Sequence, residues 1–319
     1  MNMNILILSV GTRNKIVQYF KNELNNKGLI IATDASQLAP ALYDADKYYI
    51  VPRIDDPTYI NAIINICVEN KVRGILSLID PELSILAKHY EDFKKIGVTP
   101  IISNQNLIEL SFNKYEFISK VKESGFNHIK SYMSLNEFYV DYNKNIIEFP
   151  VFVKPIHGSA SININKVHNL EELESLFNKS NDLLIQEYIK GREFGADCYI
   201  DLIDGEIKSI FVKEKLLMRA GETDKSVSIR NIKLEELITK FLSIFKYRGV
   251  IDIDILEQEG EYYISEVNPR FGGGYPHAYE IGINMPRMII NNLENNINDK
   301  YFDYEAGIYM MKYNEVKIR

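Results

Sequence analysis

The chain has 319 residues, of which 46% are hydrophobic and 25% charged, an ordinary globular balance that supports a large core in two or three domains without disulfide staples. Its net charge of -7 excludes bulk binding to nucleic acid or to an anionic membrane, while leaving room for a local basic pocket. No stretch is long and apolar enough to span a bilayer, and Cys67 and Cys198 both lie in apolar runs, which reads as buried free thiols in a reducing cytoplasm.

Residues 1–10 form a short apolar run without a basic leader. It is broken by Gly11 and Thr12 and reads as a first strand, Ile5-Leu6-Ile7-Leu8, not a signal peptide. A helical pattern covers 14–26, a strand Leu29-Ile30-Ile31-Ala32 ends at Asp34, and a third strand, Tyr48-Tyr49-Ile50-Val51, is closed by Pro52. A helix over 57–70, a strand at Gly74-Ile75-Leu76-Ser77-Leu78 and a helix opened by Asp80-Pro81-Glu82 follow. This alternation predicts a doubly wound parallel sheet, whose ligands sit beyond the carboxyl ends of its strands. Gly11, Asp34 and Asp80 fall at such ends, either as ligand contacts or simply as turns and caps. No G-x-G-x-x-G surrounds Gly11, so a dinucleotide site has little support.

From Asn113 the pattern changes to α+β. A helix covers 114–124 and stops at Gly125, a strand covers 150–155, a helix 170–178 and a strand 183–189. Antiparallel strands are predicted at 194–203, 208–213, 249–256 and 262–267, with Asp204-Gly205 and Glu259-Gly260 as hairpin turns and a helix over 234–245 between them. The expected division is 1–110, 111–188 and 189–319.

Three segments carry chemistry. In the first, Glu266 and Asn268 lie two apart on one strand and share a face, and Asp254, twelve residues before Glu266, lies across the turn at Glu259-Gly260. Three oxygen donors on one sheet face suit a hard cation such as Mg²⁺. Asp252 faces the same side, Arg270 follows directly, and the run Gly272-Gly273-Gly274 tells against a merely solvated strand edge. In the second, Lys154 at a strand end precedes His157-Gly158-Ser159-Ala160-Ser161, where backbone amides, hydroxyls and a cation suit polyphosphate; a bland turn is the alternative, and the Walker pattern is absent. In the third, Gln186-Glu187-Tyr188-Ile189, followed by Glu193, is either a strand edge for an adenine with a carboxylate for ribose, or a buried strand and its turn.

In this order the segments resemble the ATP-grasp superfamily, nearest its carbamoyl-phosphate-synthetase-like branch, with biotin carboxylase and D-alanine–D-alanine ligase as more distant relatives. The resemblance covers residues 1–290, and Glu266-Val267-Asn268-Pro269-Arg270 is its sharpest member. It implies a Rossmann-like pre-ATP-grasp domain followed by a two-lobed ATP-grasp fold. It implies that Lys114 and Lys154 meet nucleotide phosphates, that Gln186, Glu187, Tyr188 and Ile189 flank adenine, and that Glu193 binds ribose. Asp254, standing where relatives often carry Glu or Gln, would join Glu266 and Asn268 in holding Mg²⁺, with Mn²⁺ as a substitute, and Arg270 would stabilise the transferring phosphoryl group. The segment 213–225 resembles the family loop that closes over the phosphates, with Lys213, Arg219 and Lys225 able to grip a carboxylate or phosphate. The reaction so implied is ligation of a carboxylate to an amine through an acyl phosphate, in the cytoplasm, with those two small molecules as partners and a homodimer as an optional assembly. A phosphotransferase that stops at phosphorylation, or a non-catalytic nucleotide-binding subunit, would use the same residues.

Overall fold

A computed structural model describes residues 3–157, 164–180 and 182–319. Its first unit alternates β1 (Asn4–Leu8), α1 (Asn14–Leu24), β2 (Ile30–Asp34), β3 (Lys47–Ile50), α2 (Tyr59–Glu69), β4 (Val72–Ser77), α3 (Asp80–Lys88), α4 (Tyr90–Lys95) and β5 (Thr99–Pro100). The strands pair in parallel in the order β3-β2-β1-β4-β5. Continuous apolar runs form β1 and β2 because both faces of the sheet are covered: Ile5, Ile7 and Ala32 pack on one side, Leu6, Leu8 and Ile31 on the other.

Next come α5 (Gln105–Phe112), α6 (Lys114–Glu123), β6 (Ser131–Tyr132), α7 (Leu135–Tyr142), β7 (Val151–Pro155), β8 (Asn165–Val167), α8 (Leu170–Phe177) and β9 (Leu183–Glu187). Their strands make an antiparallel sheet ordered β6-β9-β7-β8, with its own core around Phe138, Val153, Leu173 and Ile185. The last region holds β10 (Arg192–Ile200), β11 (Ile207–Arg219), β12 (Glu222–Ser228), α9 (Ile232–Phe245), β13 (Gly249–Gln258), β14 (Glu261–Asn268), α10 (Pro276–Glu280), α11 (Met285–Leu293) and β15 (Tyr309–Met311), in a sheet ordered β14-β13-β10-β11-β12-β15. The turn between β13 and β14 has positive φ at both Glu259 and Gly260, the geometry of a tight two-residue hairpin.

The period-two pattern of this sheet separates core from chemistry. Ile251, Ile253 and Ile255 of β13 and Ala196 and Cys198 of β10 pack against α9 and α6, so Asp252, Asp254 and Asp197 face the opposite side. That side also meets the first unit. Tyr199, Phe211, Val250, Phe271 and Tyr275 share one core with β1, α1 and α11. Tyr19 of α1 stacks on Tyr279 with ring centroids 3.7 Å apart, and Glu23 pairs with Arg287 at 2.8 Å.

One element differs from expectation. The charged segment 213–225 is not a loop but the two arms of a β11–β12 hairpin, closed by Ala220 and Gly221 at positive φ. Ladder bonds to β10 and β15 on either side hold it in the sheet. Among the described residues no helix is long and apolar enough to cross a membrane.

Candidate functional site

The site assembles where the four-stranded and six-stranded sheets face each other. In the β13–β14 ladder Asp254 stands opposite Glu266 and Asp252 opposite Asn268, so the register puts the proposed metal ligands and Asp252 on one face. Burial pushes the Glu266 carboxyl up, with Lys154 opposing and Asp254 adding to the rise. Burial, then Asp254 and Asp197, push Asp252 up to about 7 against the pull of Lys213 and Lys215.

Among the described residues no three His, Cys, Asp or Glu side chains converge closely enough to hold a metal on their own. Asp254, Glu266 and Asn268 offer two carboxylates and a carboxamide, all hard oxygen donors. Burial raises the Glu266 carboxyl, so a cation beside it would favour its charged form. That donor set fits Mg²⁺.

The cations arrive from both sheets. Lys154, near the end of β7, is buried, and burial pushes it down to about 8, with Glu266 opposing and Lys114 reinforcing the fall. Lys114 opens α6, and its backbone N–H donates to Ile156 O at 3.1 Å, which ties the helix start to the strand carrying Lys154. Lys114 and Lys154 therefore stand in the field of Glu266 from the other lobe.

From below, Lys215 donates to Asp254 Oδ1 at 2.6 Å and Glu193 Oε1 at 2.9 Å. Burial opposes its charge, but Asp254 and Glu193 overcome that and hold it above the ordinary lysine range. Lys213 is buried in an ion pair with Asp197. Gly195 pairs with both Asp254 and Lys213, and its missing side chain gives the stems of Lys213 and Lys215 room to cross the sheet.

The remaining expected residues are placed as follows. Gln186 is buried and donates to Ser131 Oγ at 3.0 Å. The Glu187 N–H donates to Lys130 O, and its carboxylate takes the Lys130 ammonium at 3.1 Å. Tyr188 sits edge-on to Phe152 with Lys166 3.7 Å above its ring, and Ile189 is buried beside it. Arg219 lies at the hairpin tip, mostly exposed and paired with Asp224 at 3.2 Å, while Lys225 pairs with Asp224 and donates to Lys312 O. Gly158, Ser159 and Ser161 lie outside the described residues.

Arg270 reaches the first unit. Its Nη2 donates to Asp80 Oδ2 at 2.7 Å and its Nη1 to Phe271 O at 2.9 Å. Burial works against the guanidinium, yet Asp80 more than offsets it and raises Arg270 above its usual value. The glycine run has a direct cause: a Cβ at Gly272 would fall 2.4 Å from the Asp252 carboxyl carbon, and one at Gly273 2.8 Å from that of Glu222.

Sequence reasoning missed Lys215, Asp197 and Arg13, and took Asp80 only as a strand-end residue. A polar signal existed for two of them: Asp197 interrupts the apolar run Phe194–Ile200, and Lys215 follows Lys213 at the same-face spacing.

Comparison with known proteins places the chain in a family. Two family models match: a PylC-like N-terminal domain over residues 5–101 and an ATP-grasp domain over residues 111–274. An uncharacterised protein of Methanocaldococcus jannaschii is 27% identical over 91% of this chain and 74% of its own length. The carbamoyl phosphate synthase large chain of a Thermoanaerobacter species is 25% identical over 76% of this chain, which spans only 23% of that relative. Among solved structures, the biotin carboxylase domain of Hydrogenobacter thermophilus 2-oxoglutarate carboxylase, a dimer in complex with MgADP and bicarbonate, superposes with a TM-score of 0.76 over 97% of this chain and 73% of that one at 18% identity. The L-amino acid ligase of Bacillus licheniformis gives 0.69 over 92% and 74% at 19% identity. With the ATP-grasp model covering more than half of its length and the fold shared, this chain belongs to the ATP-grasp family.

Proposed function

We propose that the protein is an ADP-forming ligase that joins a carboxylate to an amine through an acyl phosphate. The observation that carries this reading is the meeting of Lys154 and Lys114 from one lobe with Glu266 and Asp254 from the other. Cations on one wall and carboxylates on the other make a slot for a metal–polyphosphate, whose two kinds of charge each find their opposite.

In this reading the segment Tyr188–Ile189 edges the adenine, Glu193 takes a ribose hydroxyl, and Lys154 and Lys114 bind phosphate oxygens. Asp254, Glu266 and Asn268 hold Mg²⁺, which when bound neutralises phosphate charge as it shifts. A substrate carboxylate oxygen attacks the γ-phosphorus. The bond from that phosphorus to the β,γ-bridging oxygen breaks and ADP leaves. The amine then attacks the acyl carbon, phosphate departs, and one proton is released. Arg270, fixed by Asp80, faces the oxygens where charge accumulates, and a donor already in place costs no reorganisation during the reaction. Lys213 and Lys215 act from beneath, neutralising Asp197 and Asp254. Arg219 at the hairpin tip is left to meet substrate from the rim. A homodimer belongs to the same proposal.

The test is ADP release across a panel of carboxylates and amines, with the product identified by mass. A new C–N bond and one ADP per product are expected. Release of a stable phosphorylated product without any amine overturns the ligase reading in favour of a phosphotransferase.

A further inference from the structure

Next to Arg270, a second charged group joins three distant parts of the chain. Arg13 lies between β1 and α1. Its Nη2 meets Glu222 Oε1 of β12 at 2.9 Å, and Glu222 Oε2 meets Lys312, just after β15, at 2.7 Å. Burial acts to raise the Glu222 carboxyl, but Arg13 and Lys312 outweigh it and hold it below its usual range. Gly273 presses against the same carboxylate.

This cluster is linked to the site. Arg13 stands in the field of Arg270, Asp252 and Asp80. In the adjoining Arg270–Asp80 pair, Arg270 Nε and Asp80 Oδ1 are buried without a hydrogen-bond partner among the described residues, which leaves a donor and an acceptor that a bound group could use. The Arg13 and Glu222 side chains are 21% and 33% exposed, so this end is open to solvent.

Charge counting then identifies what fits. Arg270 and Asp80 balance. Within the cluster Arg13 and Lys312 set two cations against the one carboxylate of Glu222, with Asp252 and Asp80 acting on Arg13 more weakly, and Lys312 can hold Glu222 if Arg13 turns to a ligand. A planar guanidinium is the side chain best shaped to take a carboxylate or phosphate by two parallel hydrogen bonds. Nucleotide phosphates have their own cations in Lys154 and Lys114, so this guanidinium belongs to the other substrate.

We propose that Arg13, backed by Glu222 and Lys312, is an anion subsite that selects a substrate carrying a carboxylate or phosphate group besides the group that reacts at Arg270. The inference rests on the ligase reading for the identity of the site, and its test separates the two. Thermal unfolding of the wild-type chain and of Arg13→Gln, Arg13→Lys and Lys312→Gln is followed with Mg²⁺ and a non-hydrolysable ATP analogue. Each protein is then challenged with succinate, glutarate and glucose 6-phosphate, and with their neutral counterparts succinamide, glutaramide and glucose.

An anion should stabilise the wild type where its neutral counterpart does not, and succinate or glutarate against glucose 6-phosphate tells carboxylate from phosphate. Arg13→Gln should weaken that anion by about 10- to 100-fold while leaving the response to the Mg-nucleotide analogue unchanged. Arg13→Lys and Lys312→Gln should fall between. Equal anion responses in Arg13→Gln and wild type, equal effects of anions and neutral counterparts, or no response to any of the three anions overturns the subsite. Absence of stabilisation by the Mg-nucleotide analogue overturns the ligase reading instead, and the anion challenge without nucleotide still decides the subsite.

Discussion

Lys154 is buried at a cost to the folded chain, and replacing it exposes that cost. Burial lowers its proton affinity from the ordinary value of 10.5 to about 8. At about 1.4 kcal/mol per tenfold change, the charged form carries roughly 3 kcal/mol of unfavourable free energy at pH 7. Between about 8 and 10.5 the unfolded chain keeps the proton and the native chain does not, so wild-type stability rises with pH through that window. Lys154→Met removes the penalty while keeping the stem. The attraction to Glu266 is already contained in that lowered value, so the gain is at most about 3 kcal/mol. Urea unfolding should therefore show the variant more stable than wild type at pH 7, with the advantage shrinking by pH 10, where the penalty has fallen to roughly 1 kcal/mol. Calorimetry should show nucleotide-analogue binding weakened in the same variant. A variant less stable than wild type at pH 7, or an advantage independent of pH, refutes the reasoning.

Glu266→Ala should keep its circular dichroism spectrum and lose at least about 100-fold in turnover, since it removes an oxygen donor at the phosphates; a loss of only a few-fold would remove Glu266 from the metal set. Asp80→Ala leaves the buried Arg270 guanidinium with only Asp252 and Glu266 for compensation, so a destabilisation of about 3 kcal/mol is expected by thermal unfolding, and a change under about 0.5 kcal/mol would show that the pair is already solvated. Hydrogen exchange of the free protein should find the β11–β12 arms protected, with rapid exchange confined to the turn at Ala220 and Gly221, and uniform rapid exchange over 213–228 would contradict the ladder.

The parallel unit was legible because its central strands β1 and β2 are buried on both faces and appear as apolar runs. The alternation Ile251-Asp252-Ile253-Asp254-Ile255 told which residues of β13 leave the core, and the turn spacing set Asp254 against Glu266. The hairpin arms were not legible for a local reason. Register shifts between Lys215 and Leu217 and between Leu217 and Met218 interrupt the period of two, so Lys-Glu-Lys-Leu-Leu-Met-Arg does not read as a strand. Arg13 and Asp80 were hidden for a global reason. Their partners, Glu222 and Arg270, are far along the chain, and no spacing rule connects a loop after β1 with the edge of another sheet.

The core shared by α1, α11 and the six-stranded sheet bears on how this chain can be recombined. Tyr19 on Tyr279 and Glu23 on Arg287 make the surface under the first hundred residues specific to this partner. A chimera carrying a relative's first unit would inherit that relative's loop after β1, but its seam would match best with positions 279 and 287 exchanged as well. Swapping the lobe around Phe138 and Leu173, which has a core of its own, should meet a lower barrier. On the proposed function, acceptor preference would then diversify by coupled changes on both sides of the α1–α11 seam, while the lobe around Phe138 and Leu173 could be replaced with fewer accompanying substitutions.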